Sequence, residues 1–169
     1  MSVGVALSSA TARGQYIYVV NNNAGTIGKY TTSGAVVNAK LVSGLSASDP
    51  VGIAVSGSNL FVTNSYASTI GEYTTSGAVV NASLVSGLSS PIGIAASGSN
   101  LFVTNAGAGT IGEYTTSGAV VNASLVSGLK TPDGIALSQP VPEPATLTLL
   151  CSALLALGVV CLRRRAAKA

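Results

Sequence analysis

Histidine and tryptophan are absent from this 169-residue chain, and its only cysteines, Cys151 and Cys161, lie close to the C-terminus. Charged residues make up 8% of the chain, against about 25% in an ordinary soluble domain. Without histidine there can be no Ser-His-Asp or Cys-His pair, no imidazole base and no zinc site of the usual Cys/His kind. The sequence therefore predicts a protein that is not an enzyme and that holds no metal and no cofactor.

The net charge of +3 belongs to the C-terminal segment. Residues 1–140 contain four basic and four acidic side chains, whereas residues 141–169 contain four basic and one acidic. Nucleic-acid binding depends on clustered lysine and arginine that neutralise phosphates. The balanced body argues against a nucleic-acid partner.

Residues 145–162 are 18 consecutive positions without a charged side chain. As a helix rising about 1.5 Å per residue they would extend about 27 Å, close to the hydrocarbon thickness of a bilayer. Arg163, Arg164 and Arg165 follow directly and favour the cytoplasmic side. We expect a transmembrane helix over 145–162, a basic cytoplasmic tail over 163–169, and the N-terminal body outside the cytoplasm. The alternative, a buried helix of a soluble domain, would leave no polar face for water.

A short linker, 139–144, precedes this span and contains Val141, Pro142, Glu143 and Pro144. Two prolines keep such a segment extended and unpaired, and therefore accessible to a processing enzyme. The VPEP motif, the apolar span and the arginine cluster, in this order, resemble the PEP-CTERM sorting signal of Gram-negative bacteria. The resemblance implies export, anchoring in the inner membrane, and processing by an exosortase-type enzyme. The destination would be the cell surface or the extracellular matrix, often in biofilm-forming species that produce exopolysaccharide.

The body, residues 1–138, contains three copies of one unit. The second and third copies are identical at 34 of 41 positions, and the first is longer. The copies cover residues 3–51, 52–92 and 93–133, and a lone strand over 134–137 follows them.

Turn-forming residues divide each copy into four predicted strands. In the second copy the predicted strands are Gly52–Ser56, Leu60–Asn64, Thr69–Thr75 and Ala78–Val85. Four short strands in a repeat of this length are typical of a β-propeller blade, with a β-helix as the alternative. The predicted fold is all-β, with three four-stranded propeller-type blades forming a partial or open propeller, plus the C-terminal helix.

The order of segments in the second copy, GIAV, then NLFVTN, then TIGEY, resembles NHL-type propeller blades. This chain departs from that family at Ser56, at Asn64 and over Ser65–Thr69, where members commonly place aspartate and an Asn-His-Arg stretch. Enzymes on related propellers, such as lactonases and streptogramin lyases, use metal-binding carboxylates or histidine. Neither set can be placed on this sequence.

Three blades are fewer than the roughly four to eight that close a propeller ring. Met1–Leu7 also lacks the basic region of a signal peptide, although an exosortase substrate must be exported. We therefore expect a C-terminal part of a longer protein or a late start. Self-association of two half-rings is the alternative.

Six of the seven differences between the second and third copies lie in two loops, one between the second and third strands and one between copies. Because strands alternate in direction, both loops emerge on one face, and binding residues often lie on such loops. The alternative is that exposed loops tolerate drift after duplication. The candidate binding face contains Asn22, Asn23, Asp49, Ser65, Tyr66, Lys130 and Asp133.

Glu72 and Glu113 occupy one position in successive copies, and we expect them on an exposed strand face. The sequence thus predicts an exported, exosortase-sorted surface or matrix protein whose repeats form a noncatalytic binding or structural module. Its predicted partners are the exosortase, the inner membrane, and either exopolysaccharide or an envelope protein. The alternatives are a fragment of a propeller hydrolase or lyase with its active residues upstream, and a passive spacer.

Overall fold

The computed structural model describes residues 15–45 and 48–138, which form three antiparallel sheets. Sheet 1 contains β1 (Tyr16–Asn21), β2 (Thr26–Thr31) and β3 (Val36–Val42). Sheet 2 contains β4 (Pro50–Ser56), β5 (Asn59–Asn64), β6 (Thr69–Thr74) and β7 (Val79–Ser86). Sheet 3 contains β8 (Pro91–Ser97), β9 (Asn100–Asn105), β10 (Thr110–Thr115) and β11 (Val120–Val126). The all-β prediction is confirmed, and each predicted strand of the second copy lies within two residues of an observed one.

Each sheet is a meander in which sequential strands are neighbours. Valine, isoleucine, tyrosine and threonine dominate the strands because branched and aromatic side chains suit a pleated, half-buried surface. A tight turn joins the last two strands of sheet 2, where the Thr74 hydroxyl accepts from the Ala78 N–H at 2.9 Å. Gly77 in this turn has a φ of +99°, which favours glycine.

The first of the four strands predicted for the first copy lies outside the described residues, as do the linker, helix and tail predicted beyond residue 138. No helix within the described part of the chain is long and apolar enough to cross a membrane. The strand predicted at 134–137 is wrong as a strand, although its residues are described. A strand exists by hydrogen bonding to a neighbour, and among the described strands sheet 3 already has its four members.

Two apolar clusters, each between adjacent sheets, form the core. The junction of sheets 1 and 2 buries Ile27, Val42, Leu45, Leu60, Val62 and Tyr73. The junction of sheets 2 and 3 buries Phe61, Ile70, Val85, Leu88, Ile94, Leu101, Val103 and Tyr114. Neighbouring residues of β5 point to opposite sides of sheet 2, because Leu60 and Val62 belong to the first cluster and Phe61 to the second. The sheets therefore pack face to face, and the loops between strands emerge at the two ends of the strands.

Candidate binding face

The two variable loops of each repeat lie together at one end of the sheets. The Leu45 N–H donates to the Gly25 carbonyl at 2.9 Å, which joins the β1–β2 loop to the segment after β3. Equivalent bonds run from Leu88 to Ser68 at 3.1 Å and from Leu129 to Gly109 at 2.9 Å. These contacts agree with the expectation from strand alternation that the two loops share a face.

Three of the predicted face residues meet where sheet 1 joins sheet 2. The Asn22 side-chain amide donates to Asp49 Oδ1 at 2.6 Å and to the Pro50 carbonyl at 3.0 Å. The Ser65 N–H donates to the Asp49 carbonyl at 2.9 Å. Asp49 therefore links loops of two sheets, and its side chain and backbone are both occupied by neutral donors.

Tyr66 lies beside this cluster and is 84% exposed, the highest value among the exposed large apolar side chains of the described residues. Asn22 and Asn23, in the β1–β2 loop, are also exposed. An exposed phenol with adjacent amide and hydroxyl groups can offer a flat apolar surface and neutral hydrogen bonds to a ligand. This end of the first junction is thus polar but uncharged apart from Asp49.

Lys130 and Asp133 are also exposed, at the far end of sheet 3. The Asp133 carbonyl accepts from the Thr104 hydroxyl at 2.6 Å, so this bond fixes the backbone at Asp133, whose side chain is exposed. Among the described residues no hydrogen bond joins either side chain to the Asn22–Asp49 cluster. The structure therefore joins Asn22, Asp49 and Ser65 by hydrogen bonds, with Asn23 and Tyr66 next to them in the sequence, and leaves Lys130 and Asp133 apart from this cluster.

The expectation that Glu72 and Glu113 lie on an exposed strand face is wrong. Glu72 is 8% exposed and accepts from the Asn59 amide at 2.6 Å, and Glu113 accepts from the Asn100 amide at 2.7 Å. Glu72 is buried because its side of sheet 2 is the one that sheet 3 covers. The described residues contain no group of three or more His, Cys, Asp or Glu that could hold a metal ion.

The buried tyrosines at the junctions remain neutral. Burial raises the pKa of Tyr73, and burial raises the pKa of Tyr114 despite an opposing hydrogen bond with Asn105. Tyrosine in water already titrates near pH 10, so both phenols keep their protons at neutral pH. Each ring instead covers a glycine two residues earlier: Tyr73 lies against Gly71 and Tyr114 against Gly112.

Sequence reasoning missed two buried threonines, one that connects sheet 2 to sheet 3 and one that connects sheet 3 to the segment after β11. Thr63 Oγ1 accepts from the Gly52 N–H at 2.8 Å and donates to the Ile92 carbonyl of the next sheet at 2.6 Å. Thr104 forms the same pair of bonds with Gly93 and Asp133. The available signal was a threonine at the same position of both NLFVTN segments, where the first copy has Val20.

Comparison with known proteins identifies the C-terminal signal. Residues 140–165 match the family described as the PEP-CTERM protein-sorting motif. The motif implies processing by an exosortase and export to the cell envelope or surface. No curated protein sequence matches the chain.

Solved structures similar to the chain include lyases with a β-propeller fold. Selenomethionine-substituted virginiamycin B lyase from Staphylococcus aureus is 27% identical with a TM-score of 0.59, over 73% of this chain and 42% of the lyase. A streptogramin B lyase is 25% identical with a TM-score of 0.57, over 71% of this chain and 40% of the lyase. A catalytically inactive variant of the Staphylococcus lyase with quinupristin, which has alanine in place of a histidine, is 28% identical with a TM-score of 0.58, over 73% and 43%. The chain therefore has a propeller-like fold and spans less than half of these lyases.

Proposed function

We propose that this is an exosortase-sorted surface protein whose sheets act as a noncatalytic binding or structural module, with a neutral polysaccharide of the envelope or matrix as its ligand. In this proposal each repeat is an NHL-type propeller blade. The helix over 145–162 holds the protein in the inner membrane while the exosortase acts near Pro142–Pro144. The body then reaches the cell surface.

The observation that carries the binding proposal is the chemistry of the Asn22–Tyr66 end of the first junction. The Asn22 and Tyr66 side chains there are exposed, Ser65 is half-buried, and the carboxylate of Asp49 accepts from the Asn22 amide at 2.6 Å. Sugars without charge are recognised by such hydrogen-bonding groups beside an aromatic surface, whereas phosphates need clustered positive charge. The balanced charge of residues 1–140 fits the same class of ligand.

Binding should be measured on the full chain in mild detergent, with exopolysaccharide purified from the native host as the probe and dextran as a reference. Tyr66→Ala is expected to weaken binding about tenfold or more, since a central exposed tyrosine commonly contributes over 1 kcal/mol. The matched control is Tyr16→Ala, because Tyr16 is 46% exposed at the opposite end of sheet 1. Equal binding by both variants and the unmodified chain would count against this face.

A lyase-type enzyme is the second candidate, favoured by the 25–28% identity to streptogramin lyases. Loss of one histidine inactivates the variant that was solved with quinupristin, and this chain has no histidine. This contrast supports the noncatalytic proposal for the chain as given. Incubation with quinupristin, followed by reversed-phase chromatography, separates the candidates: we expect no conversion, and enzyme-dependent conversion would favour the lyase.

A further inference from the structure

The two junctions inside the protein use the same set of side chains. At the first junction, Ile27, Val42 and Leu45 of sheet 1 pack against Leu60, Val62 and Tyr73 of sheet 2. At the second junction, Ile70, Val85 and Leu88 of sheet 2 pack against Leu101, Val103 and Tyr114 of sheet 3. Each junction therefore joins an Ile-Val-Leu surface on one sheet to an aliphatic and tyrosine surface on the next.

On sheet 3 the Ile-Val-Leu surface is not covered by a further described sheet. The residues equivalent to Val85 and Leu88, which are 5% and 9% exposed, are Val126 and Leu129, which are 40% and 37% exposed. Ile111 and Phe102 on the same side are half-buried, whereas their equivalents Ile70 and Phe61 are fully buried. We call this surface, formed by Phe102, Ile111, Val126 and Leu129, the trailing flank.

Sheet 1 presents the complementary surface. Ile17 and Val19 are 45% and 38% exposed, although their equivalents Leu60 and Val62 are fully buried against a preceding sheet. Tyr30 takes the place of Tyr73 and is half-buried. We call this surface, formed by Ile17, Val19 and Tyr30, the leading flank. The two flanks together carry the residues of one complete junction.

Residues 132–137 lie on the trailing flank in the position of a first strand. Thr104 donates to the Asp133 carbonyl at 2.6 Å, as Thr63 donates to the Ile92 carbonyl of β8. A Cβ added to Gly93 would meet the Asp133 carbonyl and the Ile135 nitrogen, so the segment runs closely along β8. This segment thus occupies the position of the first strand of another sheet, but it pairs with no described strand.

Sheet 1 has the matching opening. It has three described strands, and β1 pairs with β2 but with no other described strand. In sheets 2 and 3 the first strand pairs with the second in one register, Ile53 opposite Val62 and Ile94 opposite Val103. The same register would place Ile135 of one copy opposite Val19 of another.

We infer that two copies of the chain associate head to tail, with the trailing flank of each on the leading flank of the other. Residues 132–137 of each copy pair with β1 of the second copy as the fourth strand of its sheet 1, and so take the place predicted from the sequence for the first strand of the first repeat. Contacts between different surfaces close a ring when the rotation per copy allows it, and two copies give six sheets, within the roughly four to eight of propeller rings. The interface continues the two junctions that already exist within each copy.

Native mass spectrometry of the full chain, released from detergent micelles, tests the stoichiometry. We expect a species of about 33 kDa, twice the 16.5 kDa of one chain. A monomer at micromolar concentration, or a ladder of higher oligomers, would overturn the two-copy ring. A monomer would be the result if the flanks are covered instead by further blades of a longer polypeptide.

Variants on the trailing flank test which surface is used. Val126→Glu places a charge on each of the two junctions of the ring, and we expect dimerisation to weaken at least about 100-fold. The matched control is Val121→Glu on the same strand, because Val121 is 53% exposed and its equivalents Val37 and Val80 stay 48% and 52% exposed even where a further sheet follows. Far-UV circular dichroism checks that both variants are folded. Equal weakening by both, or by neither, would refute the flank interface.

A disulfide tests the shared strand directly. In a background with Cys151→Ser and Cys161→Ser, the double variant Val19→Cys with Ile135→Cys should oxidise to a covalent dimer, since paired residues of antiparallel strands lie within disulfide range. The pair Val121→Cys with Ile135→Cys should remain monomeric on a non-reducing gel. Absence of the covalent dimer from the first pair, with a dimer still seen by mass spectrometry, would overturn the strand sharing.

Discussion

Replacement of Thr63 by valine should weaken the attachment of sheet 2 to sheet 3 while keeping the shape of the side chain. The Thr63 hydroxyl is fully buried and forms two bonds, one with the Gly52 N–H at 2.8 Å and one with the Ile92 carbonyl at 2.6 Å. Valine would leave a donor and an acceptor without that partner. Each such unsatisfied group costs about 1–3 kcal/mol, so we expect a loss of about 2–6 kcal/mol in the free energy of unfolding.

The assay is urea unfolding of the full chain in mild detergent, followed by far-UV circular dichroism at one protein concentration. Thr63→Ser is the matched control, because serine keeps the hydroxyl and loses a methyl group worth about 1 kcal/mol. The expected order of stability is therefore threonine, serine, valine.

Two results would refute this reasoning. If Thr63→Val is as stable as the unmodified chain, the hydroxyl contributes nothing net and the sheets are held by apolar packing alone. If Thr63→Ser loses as much as Thr63→Val, the methyl group rather than the hydroxyl is the important part.

Two further predictions concern the tyrosine at the first junction. Gly71→Ala should destabilise the fold by about 1–3 kcal/mol, because the added Cβ would lie 2.8–2.9 Å from the Tyr73 hydroxyl and ring. Urea midpoints measure the loss, and Gly134→Ala is the control because nothing lies within 4 Å of a Cβ added there. An unchanged midpoint for Gly71→Ala would show that the ring moves aside freely. Because burial raises the pKa of Tyr73, the unfolded chain loses the phenolic proton first as pH rises, so stability is fully present below about pH 10 and falls above it. Tyr73→Phe should therefore lose less stability than the unmodified chain between pH 7 and about pH 11. Equal losses would show that the Tyr73 phenol is not the group responsible.

The strands could be predicted from the sequence because their limits are local. Turn residues such as Gly77 stand between alternating apolar segments, and an internal repeat gives three readings of the same boundaries. The propeller-like stacking also followed from the repeat length. Local patterns were enough for these features because β-turn chemistry and side-chain alternation depend on neighbours in sequence.

The errors arose where a residue's environment is set by another sheet. Glu72 was expected to be exposed because its repeat position carries Glu113 and Lys29 in the other copies, but sheet 3 covers that side of sheet 2 and leaves Glu72 8% exposed. The segment 134–137 was expected to be a strand because it repeats the sequence of β4 and β8. Its pairing depends on a partner strand that local sequence does not specify. The Asn22–Asp49 contact, between residues 27 positions apart, likewise required the sheets to be assembled.

The loops of the candidate binding face can vary in sequence because their conformation is fixed by backbone groups. Asp49 and Ser90 precede β4 and β8, Thr131 precedes the equivalent segment 132–137, and the three residues have φ values of 53°, 48° and 45°. Three different side chains thus adopt one uncommon conformation, which the surrounding structure must impose. Carbonyls at two of these positions accept from the next loop, Asp49 from the Ser65 N–H at 2.9 Å and Ser90 from the Ala106 N–H at 3.1 Å. Since these bonds do not depend on side chains, substitutions at this face change its chemistry and leave its geometry intact, as a binding surface on a repeated scaffold requires.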